Sequence, residues 1–170
     1  HKNIIKSYGI KNNKLFLEKG NIDLYEYLNQ RDFKLDNKQI IDILKQVISA
    51  INYIHNNNIT HNDIKSENII VNNINENKII IKLIDFEYST EIDSLNYNDY
   101  SRIIGTKVYN SPEKQKTGIY CRKAADIWSF GILIHLLYYK CYYNNNKFDI
   151  MHINDINDIN NINDINDKLI

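Results

Sequence analysis

A long amphipathic helix is the feature that most constrains how this 170-residue chain can fold. Apolar residues recur at intervals of three and four between positions 37 and 56, which is the spacing of one face of an α-helix. The residues on this face are Ile40, Ile43, Leu44, Val47, Ile48, Ile51 and Ile54. A hydrophobic content of 43% is enough to build one core against this face, and the length suits a single domain or part of one.

A polar stretch follows this helix and lies between two short apolar runs. It reads ITHNDIKSENIIV at residues 59–71 and leads into an asparagine-rich turn at residues 72–77. The run KIIIKLIDF at residues 78–86 is typical of a β-strand. The sequence therefore predicts a polar loop held between short strands.

This loop carries the side chains that phosphoryl transfer requires. Asp63, Lys65 and Asn68 supply a carboxylate, an ammonium group and an amide carbonyl within a short reach. Asp85, at the end of the next predicted strand, offers a second oxygen ligand. Phosphoryl transfer needs a base to orient the attacking hydroxyl, a cation for the transferred group, and oxygen ligands for magnesium.

The rest of the chain divides into short predicted elements. Residues 1–17 read as two strands joined by a hairpin at residues 11–14, and helical spacing follows at Leu24, Tyr27 and Leu28. Residues 87–111 are polar and without period, which is typical of a long functional loop.

Two further patterns occur towards the C-terminus. Residues 124–139 predict a second strong helix. Beyond Tyr143, isoleucine falls at every third residue, a period that matches neither a helix nor a strand. We therefore expect a poorly ordered, low-complexity tail.

Charge and cysteine content exclude several function classes. Lysine plus arginine number 21, as do aspartate plus glutamate, so the net field favours neither nucleic acid nor an anionic membrane as a partner. The most apolar window, residues 127–139, is too short to span a membrane. Cys121 and Cys141 lack the spacing of a metal site, so we expect free thiols in a reducing, intracellular and cytoplasmic location.

Four motifs, in order and with fitting contexts, resemble those of the eukaryotic protein kinases. HNDIKSEN at residues 61–68 resembles the catalytic loop, and DFE at 85–87 stands in the place of the magnesium-binding Asp-Phe-Gly. GTKVYNSPE at 105–113 resembles the end of the activation segment, and DIWSFG at 126–131 resembles the start of the central helix. The resemblance runs from His1 to about Tyr143.

The resemblance implies a role for each matching residue. It implies that Asp63 is the catalytic base and that Lys65 contacts the phosphate, while Asn68 and Asp85 bind magnesium. The catalytic loop would be braced by His61 and Asp126, and the activation segment would carry Thr106, Ser111, Pro112 and Glu113.

The stretch LFLEKGNIDLYEYL at residues 15–28 resembles the hinge between the two kinase lobes. On that alignment the backbones of Glu18 and Gly20 would meet the adenine, and Asp23 would face the ribose. Ile70 and Ile84 would form the apolar floor under the base. The resemblance thus implies ATP and Mg²⁺ as cofactors.

Asn62 departs from the family pattern, because most members have an arginine there that grips a phosphorylated activation loop. A neutral amide does not supply that contact, which argues against switching by activation-loop phosphorylation. The available hydroxyls in the segment are Ser89, Thr90, Ser94, Ser101 and Thr106.

Glu87 is a second departure, since it replaces a glycine. If this position required a positive φ, the side chain would cost on the order of 1 kcal/mol and could restrict flipping of Asp85. The metal ligand itself is retained.

The resemblance implies an α+β fold of the protein-kinase type. We expect a remnant of the N-lobe and the hinge at residues 1–20, a mainly helical C-lobe at 21–143 and the tail at 144–170. The glycine-rich loop and its lysine would lie N-terminal to His1, so the chain is expected to be a fragment. The sequence gives no indication of the oligomeric state.

The sequence is compatible with two functions. The lysine two residues after Asp63, with Gly105 and Thr106, resembles the serine/threonine branch, which implies ATP-dependent phosphoryl transfer to protein serine or threonine hydroxyls. The alternative is an inactive, pseudokinase-like or truncated remnant that acts as a binding or regulatory module.

Overall fold

The computed structural model describes residues 1–75, 78–92, 104–116, 120–144 and 147–150. The helices are α1 (Leu24–Asn29), α2 (Asn37–Asn56), α3 (Pro112–Lys116) and α4 (Arg122–Tyr139). The strands are β1 (Ser7–Lys11), β2 (Lys14–Leu17), β3 (Ile22–Asp23), β4 (Ile59–Thr60), β5 (Ile69–Asn75), β6 (Lys78–Leu83), β7 (Thr90–Glu91), β8 (Cys141–Asn144) and β9 (Lys147–Ile150). This mixture of helices and small antiparallel sheets confirms the predicted α+β class.

Helix α2 has the predicted bounds and lies at the centre of the core. Its predicted apolar face is buried, apart from Leu44 and Ile48, which are half-buried. The face packs into one cluster with Leu24, Ile81 and Leu133, which come from α1, β6 and α4. Burial of this face stabilises the helix more than its intrinsic propensity does.

Strands β3, β5 and β6 form an antiparallel sheet in that order. Gln46 joins α2 to this sheet, because its Nε2 donates to the Ile79 carbonyl at 2.9 Å and its Oε1 accepts from the Ile81 amide at 3.1 Å. Asn3, which is buried, donates through Nδ2 both to Gln46 Oε1 and to the Ile81 carbonyl. The N-terminal segment is therefore fastened to the same strand that leads to Asp85.

The hairpin predicted near residue 12 is present as β1 and β2. Asn12 and Asn13 have φ values of 51° and 58°, and asparagine tolerates this left-handed conformation better than most residues. The short helix predicted from Leu24, Tyr27 and Leu28 is α1, and all three side chains are buried.

Several elements differ from the sequence prediction, and the two-residue strands β3 and β7 were not predicted at all. Strand β5 continues to Asn75, through most of the predicted asparagine turn, because its backbone pairs with β6 as far as Lys78. Helix α3 was not predicted, since five residues are too few to show a period. Strands β8 and β9 form an antiparallel hairpin at the start of the predicted tail, and backbone pairing of this kind needs no apolar period.

The remainder of the predicted tail, residues 151–170, lies outside the described residues. Within the described part of the chain, no helix combines the length and apolar character required to cross a membrane.

Replacement of Asp36 by alanine is expected to lower the free energy of unfolding by about 1 kcal/mol. Asp36 caps α2 by accepting from the Gln39 amide at 2.8 Å, while the Gln39 side chain accepts from the Asp36 amide at 3.1 Å. Urea unfolding followed by circular dichroism measures the change. Asp36→Ser retains a capping oxygen, so a loss as large as that of Asp36→Ala would contradict the capping explanation.

Candidate active site

The Asp63 carboxylate lies at the centre of the polar loop and is almost fully buried. Its Oδ1 accepts from the Thr106 amide at 2.8 Å and from the Thr106 hydroxyl at 2.9 Å. Its Oδ2 forms an ion pair with Lys65 Nζ at 2.9 Å and accepts from Asn68 Nδ2 at 3.1 Å. The structure therefore brings together four of the residues that the sequence singled out.

These contacts set the protonation state of Asp63. Burial alone would raise the pKa of its carboxyl, but the hydrogen bonds and the charge of Lys65, together with the Thr106 donors, outweigh burial and hold the pKa below its ordinary value. Asp63 is thus a carboxylate at neutral pH. A carboxylate in this position can accept a proton from a hydroxyl that approaches it.

Thr106 reaches Asp63 because Gly105 allows a close approach of two backbones. Gly105 has a φ of 82°, and a Cβ on this residue would lie 2.5 Å from the Asn62 carbonyl oxygen. Lys65 Nζ also donates to the Thr106 hydroxyl at 2.9 Å. Asp63, Lys65 and Thr106 therefore form a closed triangle of polar contacts.

His61 is buried behind this triangle. Its Nε2 lies 2.9 Å from the Ile84 carbonyl oxygen and must donate, while its Nδ1 accepts from the Asp63 amide at 3.3 Å. Burial lowers the pKa of its imidazole, which agrees with the neutral tautomer that these two contacts require. His61 therefore holds the loop against the residue that precedes Asp85.

Asp126, in α4, holds the backbone of the same loop. Its Oδ2 accepts from the His61 amide at 2.9 Å, and its Oδ1 accepts from the Asn62 amide at 2.8 Å. His55 Nε2 lies 2.9 Å from the same Oδ2. The carboxylate thus satisfies two buried backbone donors, which is the arrangement that the proposed bracing role requires.

Asn68 and Asp85 are the residues proposed for magnesium. The Ile84 amide donates to the Asn68 carbonyl at 2.9 Å, which places Asn68 beside the residue before Asp85. Because Asn68 Nδ2 donates to Asp63, its side-chain oxygen is turned away from that carboxylate. The Asp85 side chain is exposed, so this pair offers the hard oxygen ligands that Mg²⁺ prefers.

Three of the residues predicted for the nucleotide site, Gly20, Asp23 and Ile70, are neighbours in the structure. A Cβ on Gly20 would lie 2.8 Å from the Ile70 side chain, so the backbone at Gly20 passes directly over that residue. Asp23 pairs with Ile70 in the sheet, and its Oδ1 caps α1 by accepting from the Glu26 amide at 2.9 Å. One oxygen of the Asp23 carboxylate therefore already accepts a backbone hydrogen bond.

Glu18 is held from two sides in the same region. Its amide donates to the Lys6 carbonyl at 2.8 Å, and its Oε2 forms an ion pair with Lys82 at 2.9 Å. The hydrogen bond from Lys82 lowers the pKa of the Glu18 carboxyl. Ile84, the other proposed floor residue, is half-buried.

Three of the four predicted activation-segment residues, Ser111, Pro112 and Glu113, lie at the start of helix α3. Ser111 is buried and its carbonyl accepts from the Gln115 amide, while Pro112 occupies the first helical position, where its missing N–H costs nothing. Glu113 is exposed and lines an open cavity of about 670 Å³ beside Trp128.

Glu87 carries no left-handed penalty. The positive-φ residues in the described chain include Asn62 (67°) and Asp85 (60°) but not Glu87. The conditional cost considered from the sequence therefore does not arise at this position.

Lys114 is a buried cation that sequence reasoning missed, because α3 showed no period. Its Nζ donates to the Asn62 carbonyl at 3.0 Å, and its side chain is only 1% exposed. Burial lowers the pKa of Lys114 from 10.5 to about 8, although Asp126 and Asp63 partly counteract this effect.

Lys114 is expected to make stability rise with pH between about 8 and 10.5, because the unfolded chain binds more protons than the folded chain in that interval. The full effect is about 3 kcal/mol. Urea unfolding of the wild type and Lys114→Met from pH 7 to 10 measures it. The wild type should gain relative to the variant, with exposed Lys116→Met as a control; parallel curves would contradict this pKa.

The chain is similar in sequence to several protein kinases. Calcium-dependent protein kinase 4 of Plasmodium berghei is 40% identical over 112 residues, which cover 64% of the chain and 20% of that protein. Serine/threonine-protein kinase PSK2 of Saccharomyces cerevisiae is 33% identical over 129 residues, covering 75% of the chain and 11% of that protein. A putative serine/threonine-protein kinase, R436, of Acanthamoeba polyphaga mimivirus is 40% identical over 99 residues, which cover 58% of the chain and 34% of that protein.

The chain therefore spans about a fifth of the Plasmodium protein and about a tenth of the yeast protein. The family model described as the protein kinase domain matches residues 1–169. The chain belongs to the protein kinase domain family.

Proposed function

We propose that this chain is the catalytic part of a serine/threonine protein kinase that uses ATP and Mg²⁺. The observation that carries the proposal is the triangle of Asp63, Lys65 and Thr106, with a carboxylate and an ammonium group 2.9 Å apart. Protein kinases place a base and a cation side by side in this way, because catalysis depends on positioning and charge stabilisation.

In the proposed reaction a substrate hydroxyl approaches Asp63. Its oxygen bonds to the γ-phosphorus of ATP as the bond from that phosphorus to the bridging oxygen breaks, and its proton passes to the Asp63 carboxylate. Lys65 stabilises the negative charge on the transferred group. Mg²⁺ held by Asn68 and Asp85 would supply charge neutralisation at the phosphates.

The proposed substrates are serine and threonine hydroxyls of proteins. Lys65 donates to the Thr106 hydroxyl, so two of the three residues of the serine/threonine-like pattern contact the proposed base. The relatives named as serine/threonine kinases support the same class. We also infer an intracellular, cytoplasmic location, in keeping with the free thiol of Cys121.

One observation favours the second candidate, a binding module without turnover. The Asp63 carboxylate already accepts two hydrogen bonds from Thr106 and contacts Lys65 and Asn68, which fills its acceptor sites. A substrate hydroxyl must displace one of these donors before it can reach the carboxylate. A module would keep all four contacts permanently.

Transfer of radiolabelled phosphate from ATP to a pool of serine, threonine and tyrosine peptides separates the two candidates. The kinase proposal predicts label on serine and threonine in a magnesium-dependent reaction that Asp63→Asn abolishes. Equal background in the wild type and the variant would favour the binding module. Label on tyrosine alone would contradict the substrate class.

A further inference from the structure

The side chain of Asn62 bridges the catalytic loop and strand β7. Its Nδ2 donates to the Tyr88 carbonyl at 2.7 Å and to the Thr90 hydroxyl oxygen at 3.2 Å. The orientation of the amide follows from the first contact, since a carbonyl oxygen can only accept. The residue that replaces the family's arginine therefore makes its own link to the start of the activation segment.

The same hydroxyl receives a second donor from helix α4. Arg122 Nη1 lies 3.1 Å from Thr90 Oγ1, and Arg122 is 8% exposed. Hydrogen bonds donated by a charged group in a poorly solvated place are stronger than neutral ones. The Thr90 oxygen thus connects a guanidinium in α4 with the amide beside Asp63.

Asn62 is held through its backbone and through its side-chain nitrogen, while its Oδ1 is buried without a hydrogen-bond partner among the described residues. Its amide donates to Asp126, its carbonyl accepts from Lys114 Nζ, and its side chain contacts β7. Its φ of 67° is left-handed, a conformation that asparagine tolerates but that packing must maintain. Arg122 and Asp126 lie one helical turn apart, so α4 holds Asn62 through its backbone and, by way of Thr90, through its side chain.

We propose that Asn62, Thr90 and Arg122 form a clamp that positions Asp63 without any phosphate, and that Arg122 is a positioning residue acting through Thr90. We call these three residues the Thr90 clamp. The threonine hydroxyl supplies the oxygen that receives both donors, so no added anion is needed to hold β7 against the loop. As a statement about kinase control, this proposal rests on the proposed function.

A double-mutant cycle in hydrogen exchange tests the clamp without relying on activity. Thr90→Val is isosteric and removes the hydroxyl, and Arg122→Met removes the guanidinium. Each is expected to speed exchange about tenfold at the amide of Asn62 and at that of Ile92, which follows β7 and donates to the Asn58 carbonyl at 2.7 Å. The double variant should do no more than either single one. Additive effects, or no change in either single variant, would overturn the clamp.

Two control variants and one substitute variant complete this test. Thr90→Ser retains the hydroxyl and should stay within about twofold of wild type. Ser89→Ala removes a neighbouring hydroxyl that has no hydrogen bond among the described residues, and it should also stay within about twofold. If Arg122→Met does not fold, Arg122→Lys replaces it in the double-mutant cycle, because a flexible ammonium group does not reproduce the geometry of the guanidinium.

Kinetics of the protein distinguish failure of the clamp from failure of the proposed function. Thr90→Val should lower kcat about tenfold with KM for ATP within about twofold, and phosphatase treatment should leave wild-type kcat unchanged. If the wild type transfers phosphate but Thr90→Val keeps its kcat, or if phosphatase abolishes wild-type turnover, the clamp proposal fails. If the wild type transfers no phosphate but the double-mutant cycle in hydrogen exchange is non-additive, the proposed function fails. The Thr90 clamp is then a structural feature without a catalytic role.

Discussion

Asp63→Asn is expected to lower kcat for phosphoryl transfer by about 10²- to 10⁴-fold, the usual contribution of a general base. An amide cannot take the proton of the substrate hydroxyl. Its NH₂ group would also face the donors Lys65 Nζ and Asn68 Nδ2 in place of the carboxylate oxygen that they now contact. Steady-state kinetics with a serine/threonine peptide measure the loss, and it should fall on kcat more than on KM for ATP.

The matched control is Asp32→Asn, since Asp32 is exposed and forms only a 3.9 Å surface ion pair with Lys34. This variant should keep kcat within about twofold of wild type. If Asp63→Asn retained more than about half of wild-type kcat, Asp63 would not be the base. Urea unfolding of both variants shows whether a loss of activity arises from a loss of fold.

The lowered pKa of Asp63 also predicts that the folded protein loses stability in acid. Because its folded pKa lies below the ordinary 3.8, its contribution to stability is present above that value and is lost as pH falls through the folded pKa. Asp63→Asn should therefore show a smaller loss of stability than wild type below about pH 4.

Asp126→Ala is expected to lower the free energy of unfolding by about 3 to 5 kcal/mol. The change leaves the buried amides of His61 and Asn62 without their acceptor, and each such donor costs about 1–3 kcal/mol. It also removes the partner of His55 Nε2. Urea unfolding followed by tryptophan fluorescence measures the change.

Two further variants define this effect. Asp126→Asn retains one acceptor oxygen but turns an NH₂ group towards a backbone donor, so its loss should be intermediate. Asp42→Ala removes an exposed carboxylate from α2 and should change stability by less than about 0.5 kcal/mol. A loss below about 1 kcal/mol for Asp126→Ala would mean that water satisfies the two amides and that Asp126 does not brace the loop.

Helices α1, α2 and α4 and most strands were predictable because their signals are local. The apolar period of residues 37–56 predicted both observed ends of α2, and Asp36 and Gln39 form a capping box at its N-terminal end. The polar residues between β4 and β5 indicated the site, since Asp63, Lys65 and Asn68 lie within six residues of one another. Contacts between neighbours in sequence need no knowledge of the rest of the fold.

The structure alone decided which distant residues meet at the loop. Lys114 and Arg122 lie 52 and 60 positions after Asn62 in the sequence, yet one contacts its carbonyl and the other shares the Thr90 hydroxyl with its side chain. Nothing in a local pattern marks such residues, because a buried cation and a surface cation look the same in sequence.

Asn62 shows this difference most directly. The sequence shows only that Asn62 stands where most family members have an arginine. In the fold, Asn62 has a left-handed backbone conformation, and its backbone and side chain are held by Asp126, Lys114 and Thr90. The sequence determined the elements, the polar loop and the family motifs through short-range periodicity and spacing. Tertiary packing decided how the loop is held, because burial and hydrogen-bond partners arise only when α3, α4 and β7 come together around it.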